Sequence, residues 1–182
     1  MSGAAMGAAL RALRACAVAL ILTGLVACST LTSLAPPDMV GVSLTPIGHL
    51  GRGIGIPDLT VDGHSGGNNG GWGGGGSTSC CVLLPAKVTQ PVMVTVKWST
   101  YRSTVDEERF HEAVVPVHFE VQPGDGGAGL FVHFLPGHEV EVWYAKVFPG
   151  SSLYVGPRYP SGPAPPYAPL PGEKPALSIT NN

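Results

Sequence analysis

Hydrophobic positions along this chain recur at every second residue. Val40, Val42 and Leu44 alternate with Gly41, Ser43 and Thr45, and Val92, Val94, Val96 and Trp98 alternate with Met93, Thr95, Lys97 and Ser99. Val115, Val117, Phe119 and Val121 lie opposite Pro116, His118 and Glu120; Val140, Val142 and Tyr144 alternate with Glu141, Trp143 and Ala145. Successive side chains of a strand point to opposite faces, so a period of two predicts strands with one buried face. Three further strands are predicted at 56–62, 79–84 and 130–135, with turn signals between them at Pro123-Gly124-Asp125-Gly126-Gly127 and Pro136-Gly137-His138. No ten-residue segment carries an apolar stripe at 3.6 spacing. Residues 104–112, with Asp106, Glu107 and Glu108, predict at most one helical turn, because acidic groups suit a first turn. The expected fold class is all-β: a single antiparallel sandwich or open barrel of about seven short strands.

The first residues have a different pattern. Arg11 and Arg14 precede an apolar run over 15–27, and no acidic residue occurs before Asp38. At ~1.5 Å rise per residue the run makes a helix of roughly 20 Å, short of the ~30 Å hydrocarbon core of a bilayer. It therefore reads as the hydrophobic part of a secretory signal. The run closes on Leu25-Val26-Ala27-Cys28, which resembles a lipobox. Cleavage between Ala27 and Cys28 then leaves a lipid-modified Cys28 as the first residue. Acyl chains on one sulfur would anchor the protein stably, at about 0.8 kcal/mol per buried CH₂. Ser29 rather than aspartate after the cysteine implies an outer-membrane lipoprotein on the periplasmic face of the cell envelope. The expected organisation is a signal at 1–27, a lipidated tether at 28–38, a β domain at 39–148 and a proline-rich tail at 149–182. Such a tail cannot bury enough apolar surface to offset its ordering entropy, so it is expected to be disordered, or draped over the domain through Tyr154, Tyr159 and Tyr167.

Charge and cysteine use narrow the function. The net charge is −2, and losing two arginines with the signal makes the remainder more acidic, which argues against nucleic acid. Cys16 leaves with the signal and Cys28 is acylated, so Cys80 and Cys81 remain, adjacent, in an oxidising compartment. Neighbouring Cα atoms across a trans peptide lie ~3.8 Å apart, below the usual ~4.4 Å for a disulfide. The pair reads either as a strained vicinal disulfide or as two inert thiols on opposite faces of a strand. Without CxxC spacing it does not read as a metal site.

The glycine-rich stretch over 63–76 lacks the lysine and following helix of a phosphate loop. It is expected to supply positive φ or a close backbone approach to another surface. Within it Trp72 either plugs the core or, with Asn68 and Asn69, presents a partner contact. His118 and His133 could meet across a sheet, but no third ligand accompanies them, so no metal and no cofactor are expected. No GxSxG elbow or paired carboxylates suggest catalysis, so no catalytic residue is named, no small-molecule substrate is evident and the chain is not expected to be an enzyme.

Val61-Asp62-Gly63, Gly73 to Gly76, Cys80-Cys81-Val82, Leu84-Pro85, Val96-Lys97-Trp98 and His133-Phe134-Leu135-Pro136 together resemble an uncharacterised domain family of small Gram-negative lipoproteins. The likeness spans roughly residues 40–147 and excludes the tail. Some members of that family lie beside type VI secretion lipase effectors and look like their periplasmic immunity proteins. The resemblance implies a membrane-tethered binding protein whose partner is a secreted effector. The alternative is a structural or accessory lipoprotein of an envelope assembly.

Overall fold

The computed structural model describes residues 38–74 and 78–175. The signal, Cys28 and all but the last residue of the tether lie outside them. Nine strands form one sheet among the described residues: β1 (Met39–His49), β2 (Leu59–Val61), β3 (His64–Ser65), β4 (Trp72–Gly73), β5 (Ser79–Pro85), β6 (Met93–Arg102), β7 (Glu107–Phe119), β8 (Gly129–Phe134) and β9 (Val140–Ala145). Their order is β3-β2-β6-β7-β9-β8-β1, and β1 pairs in addition with β4 and β5. The sheet curls into an open half-barrel, the all-β open-barrel alternative.

Most pairings are antiparallel, but β1–β8 and β7–β9 are parallel. Both parallel contacts arise from long strands that change neighbours partway. β7 pairs with β6 from Glu107 to Pro116 and with β9 from Val117 to Phe119. β1 pairs with β5 along its first half, shifts register between Val42 and Leu44, and pairs with β8 from Leu44 to Gly48.

The alternating positions do what their period predicts. Val42, Leu44, Val82, Leu84, Val94, Val96, Val132, Phe134 and Val142 are buried together inside the curl. A second apolar cluster, Ile47, Phe131, Ala145 and Tyr154, lies apart from it. Tyr154 belongs to the tail, so β8 is covered on both faces and is buried at every residue after Gly129.

Three expectations change. Residues 107–112 form the first half of β7 rather than a helical turn, and only 103–106 turn. The acidic first-turn signal is local, whereas the register from Arg102↔Glu107 to Met93↔Pro116 fixes a ladder of ten residue pairs. The strand expected at 56–62 is regular only over Leu59–Val61, because Pro57 cannot donate to a ladder and Asp62 takes φ 49. Of the two expectations for the tail, disorder is corrected: as far as Pro175 it lies along the domain, pinned by its tyrosines.

Candidate functional site

Two clusters of titratable side chains sit where the tail meets the domain. The first centres on His133 of β8, whose exposure is 0 %. Its Nδ1 lies 2.9 Å from Nε2 of His49 and its Nε2 lies 2.8 Å from the Tyr154 hydroxyl. Burial, followed by the neighbouring His49, pushes His133 down to about 3, so the ring is neutral near pH 7. A neutral imidazole has one donor and one acceptor nitrogen. The three groups thus form a one-way hydrogen-bond chain whose direction is set by the His133 tautomer. Burial also lowers His49 and raises Tyr154.

The second cluster lies among inward-facing positions of β6 and β7 and the turn after β8. Trp98 stacks on His111 at 5.0 Å between ring centroids, and His111 stacks on His138 at 4.4 Å. The tail then supplies Tyr167, whose hydroxyl is 2.7 Å from His138 Nε2 and donates to Glu173 at 2.7 Å. The Arg102 guanidinium lies 5.2 Å from the Tyr167 ring centre, a cation–π contact. Arg102 and Glu107 face each other across the β6–β7 ladder and pair at 2.9 Å, both side chains more than nine-tenths buried.

These carboxylates are held ionised. Burial alone would raise Glu107, but hydrogen bonds from Arg109 and the Lys174 amide, with Arg102 nearby, outweigh it and hold the carboxyl below its usual range. Glu173 is likewise pushed up by burial and brought below its usual range by Tyr167, the Leu170 amide and His138. Burial, then His138, lowers His111.

The glycine-rich stretch serves the same tail. The Tyr159 hydroxyl donates to the Gly74 carbonyl at 2.9 Å, and a Cβ on Gly74 would lie 2.6 Å from the Tyr159 ring. This is the close backbone approach expected of the glycines. Trp72 is half-buried, and its Nε1 donates to the Gly162 carbonyl at 3.3 Å, so it meets the chain's own tail. Asn69 turns inward. Its Nδ2 donates to the carbonyls of Pro46 and Gly73, and its Oδ1 accepts from the Gly71 amide. Those bonds hold the loop and leave Asn69 nothing to offer a partner, whereas Asn68 is exposed.

The Cys80 and Cys81 side chains lie together on β5, with Cys80 exposed and Cys81 half-buried where a Cβ on Gly41 would touch it. The structure does not bring His118 and His133 together: His118 stacks on Trp143 at 4.5 Å. Among the described residues no three His, Cys, Asp or Glu side chains are placed to hold a metal ion. Nor is any described helix long and apolar enough to cross a membrane.

The opposite, outward face of the β6–β7 hairpin carries exposed apolar groups. Phe110 is 82 % exposed and Val114 61 %, with Met93 and Tyr101 also exposed. The Lys97–Glu112 ion pair at 3.1 Å lies among them. Beside Phe110 an open groove of about 420 Å³ runs past Asp58, Thr60 and Ser99.

Sequence reasoning named Tyr154, Tyr159 and Tyr167 as contacts of a draped tail but gave no role to His49, Arg102 and His138, because each becomes notable only through a residue far along the chain. Residues 52–142 match the model of a family described as "Protein of unknown function (DUF3304)". No curated protein and no solved structure matches the chain. The matched stretch runs from just after β1 into β9 and stops before the tail.

Proposed function

The chain belongs to the DUF3304 family, and we propose that it works as an envelope-anchored binding lipoprotein whose partner is another protein. The observation that carries this reading is the exposed apolar face of β6–β7 around Phe110 and Val114. Large apolar side chains this exposed on one face, here on either side of the Lys97–Glu112 pair, suit a protein contact surface. Arg102, Glu107, His133 and His138 of the two buried clusters, by contrast, are engaged with the protein's own tail. The Leu25-Val26-Ala27-Cys28 sequence supports the tether, and Ser29 the periplasmic face of the outer membrane.

In the finer form of the proposal the partner is a lipid-degrading toxin delivered by type VI secretion, and the protein confers immunity by occlusion. A domain tethered at a membrane is concentrated against a toxin that must reach the same surface. No bond is made or broken by the protein, and no metal or cofactor takes part.

The experiment is affinity between the purified protein and an effector encoded beside it. Phe110→Asp and Val114→Asp change exposed side chains, so the fold should persist while affinity drops at least tenfold. Unchanged affinity removes this face from the proposal. Deleting the gene should sensitise cells only when that effector is delivered. An envelope defect without the effector would favour an accessory lipoprotein of an envelope assembly instead.

A further inference from the structure

The tail covers one end of the domain in the manner of a bound peptide. The Arg52 amide donates to the Pro165 carbonyl at 2.8 Å, and the Tyr167 amide donates back to the Arg52 carbonyl at 3.0 Å. That is a single step of strand addition, the main-chain mode by which many domains take extended peptides. Gly51 leaves room for it: a Cβ there would sit 2.6 Å from the Pro165 oxygen. The Tyr167 ring then enters between His138 and Arg102, and Arg102, Arg109 and Glu107 hold the backbone of residues 172–174. We propose that this end of the half-barrel is a binding site for an extended, proline-rich peptide bearing a tyrosine and, six residues later, a carboxylate, and that residues 165–174 occupy it in cis.

Three observations point to a site with a replaceable occupant. First, Arg52, Trp98, Arg102, Glu107, His111 and His138 all lie within the family stretch 52–142, whereas the occupant lies beyond it. Second, the tail does not complete the site. Trp98 Nε1 and His138 Nδ1 are buried without a hydrogen-bond partner, although both side chains are more than nine-tenths covered. Burying a polar group unpaired is costly, so a peptide that reached these two atoms would fit better than the tail does. Third, proline-rich segments are already extended when free, which lowers the ordering cost of leaving and rejoining a groove. The tail's advantage is that it is tethered, at an effective concentration on the order of millimolar.

The groove beside Phe110 also reaches Trp98 and His111 of this site, so the two assignments are told apart by their probes, the effector for the outer face and a peptide for this one. The probe is a fluorescent peptide with the sequence of residues 163–175, added to the full chain. Tyr167→Ala with Glu173→Ala alters only the occupant. We expect the peptide to bind this double variant at least tenfold more tightly than the wild type. Adding His138→Ala should abolish the gain, as should replacing the tyrosine of the peptide. If hydrogen exchange shows the variant's tail released and the peptide binds no tighter, the proposal falls. It falls equally if the variant's tail amides stay as protected as in the wild type.

Should the variant not fold, exchange in the unaltered protein decides. The Tyr167 amide should exchange at least 100-fold faster than the β6–β7 ladder through local opening. Equal protection would make the tail a permanent part of the fold and overturn the proposal.

Discussion

A neutral imidazole at position 133 lies between a second imidazole and a phenol, and burial sets its proton chemistry. In the unfolded chain His133 titrates near 6.5, and in the fold at about 3. Below pH 6.5 the unfolded chain takes up a proton that the folded one refuses, so stability falls by up to about 1.4 kcal/mol per pH unit for one such group. The loss runs from pH 6.5 down towards 3, and the lowered His49 and His111 add to it in the same direction. The depressed Glu107 and Glu173 act below their ordinary 4.5, outside the first part of this window. Urea midpoints should therefore drop between pH 7 and pH 5. His133→Gln should flatten that dependence; an unchanged slope would show that His133 is not the group responsible. Asn69 matters through its amide instead. Asn69→Ala strands the Gly71 amide and two carbonyls, and should cost roughly 2–4 kcal/mol in urea denaturation, while Asn68→Ala should stay within about 0.5 kcal/mol. Neither role is legible along the chain. His49 and His133 are 84 positions apart, and the glycines around Asn69 look alike until β1 is laid against them.

Strands were legible wherever one face is apolar and the other is not. β1, β5, β6, β8 and β9 all lie where alternation or a short apolar run predicts them, because side-chain direction alternates whatever the partner strand. The first half of β7 was hidden because its inward positions are Glu107, Arg109 and His111, which break the apolar alternation while keeping the geometry. β3 and β4 contain His64, Ser65, Trp72 and Gly73 and pair through backbone alone, so no side-chain period announces them. The contrast between faces gives a direct test. Phe134→Ala removes a fully buried ring packed on Trp98 and should cost about 3–5 kcal/mol. Val114→Ala, on the outward face of β7, should stay within about 0.5 kcal/mol. Denaturation midpoints of the two variants check the assignment of inside and outside.

At the scale of the molecule, the domain boundary near residue 148 separates the sheet from a tail that nonetheless belongs to the folded unit. Composition alone argues for disorder there, and it fails because Tyr154, Tyr159 and Tyr167 each find a partner in the domain. Few apolar contacts are needed when a proline-rich segment is already extended. The tether is a prediction of the same scale. Cys28→Ser should abolish labelling with palmitate and move the protein from the membrane to the soluble fraction, with its fold intact. Labelling that survives the substitution would place the lipid elsewhere.

The parallel pairing of β1 with β8 also constrains how the chain acquires its shape. Leu44 meets Leu130, so the first strand to emerge must wait for most of the nascent polypeptide before that edge is covered. Non-local pairing of this kind slows folding towards milliseconds or seconds and leaves an adhesive ribbon exposed meanwhile. Chains interrupted before residue 129 would keep that ribbon uncapped and should aggregate, a hazard fixed by connectivity however stable the finished domain is.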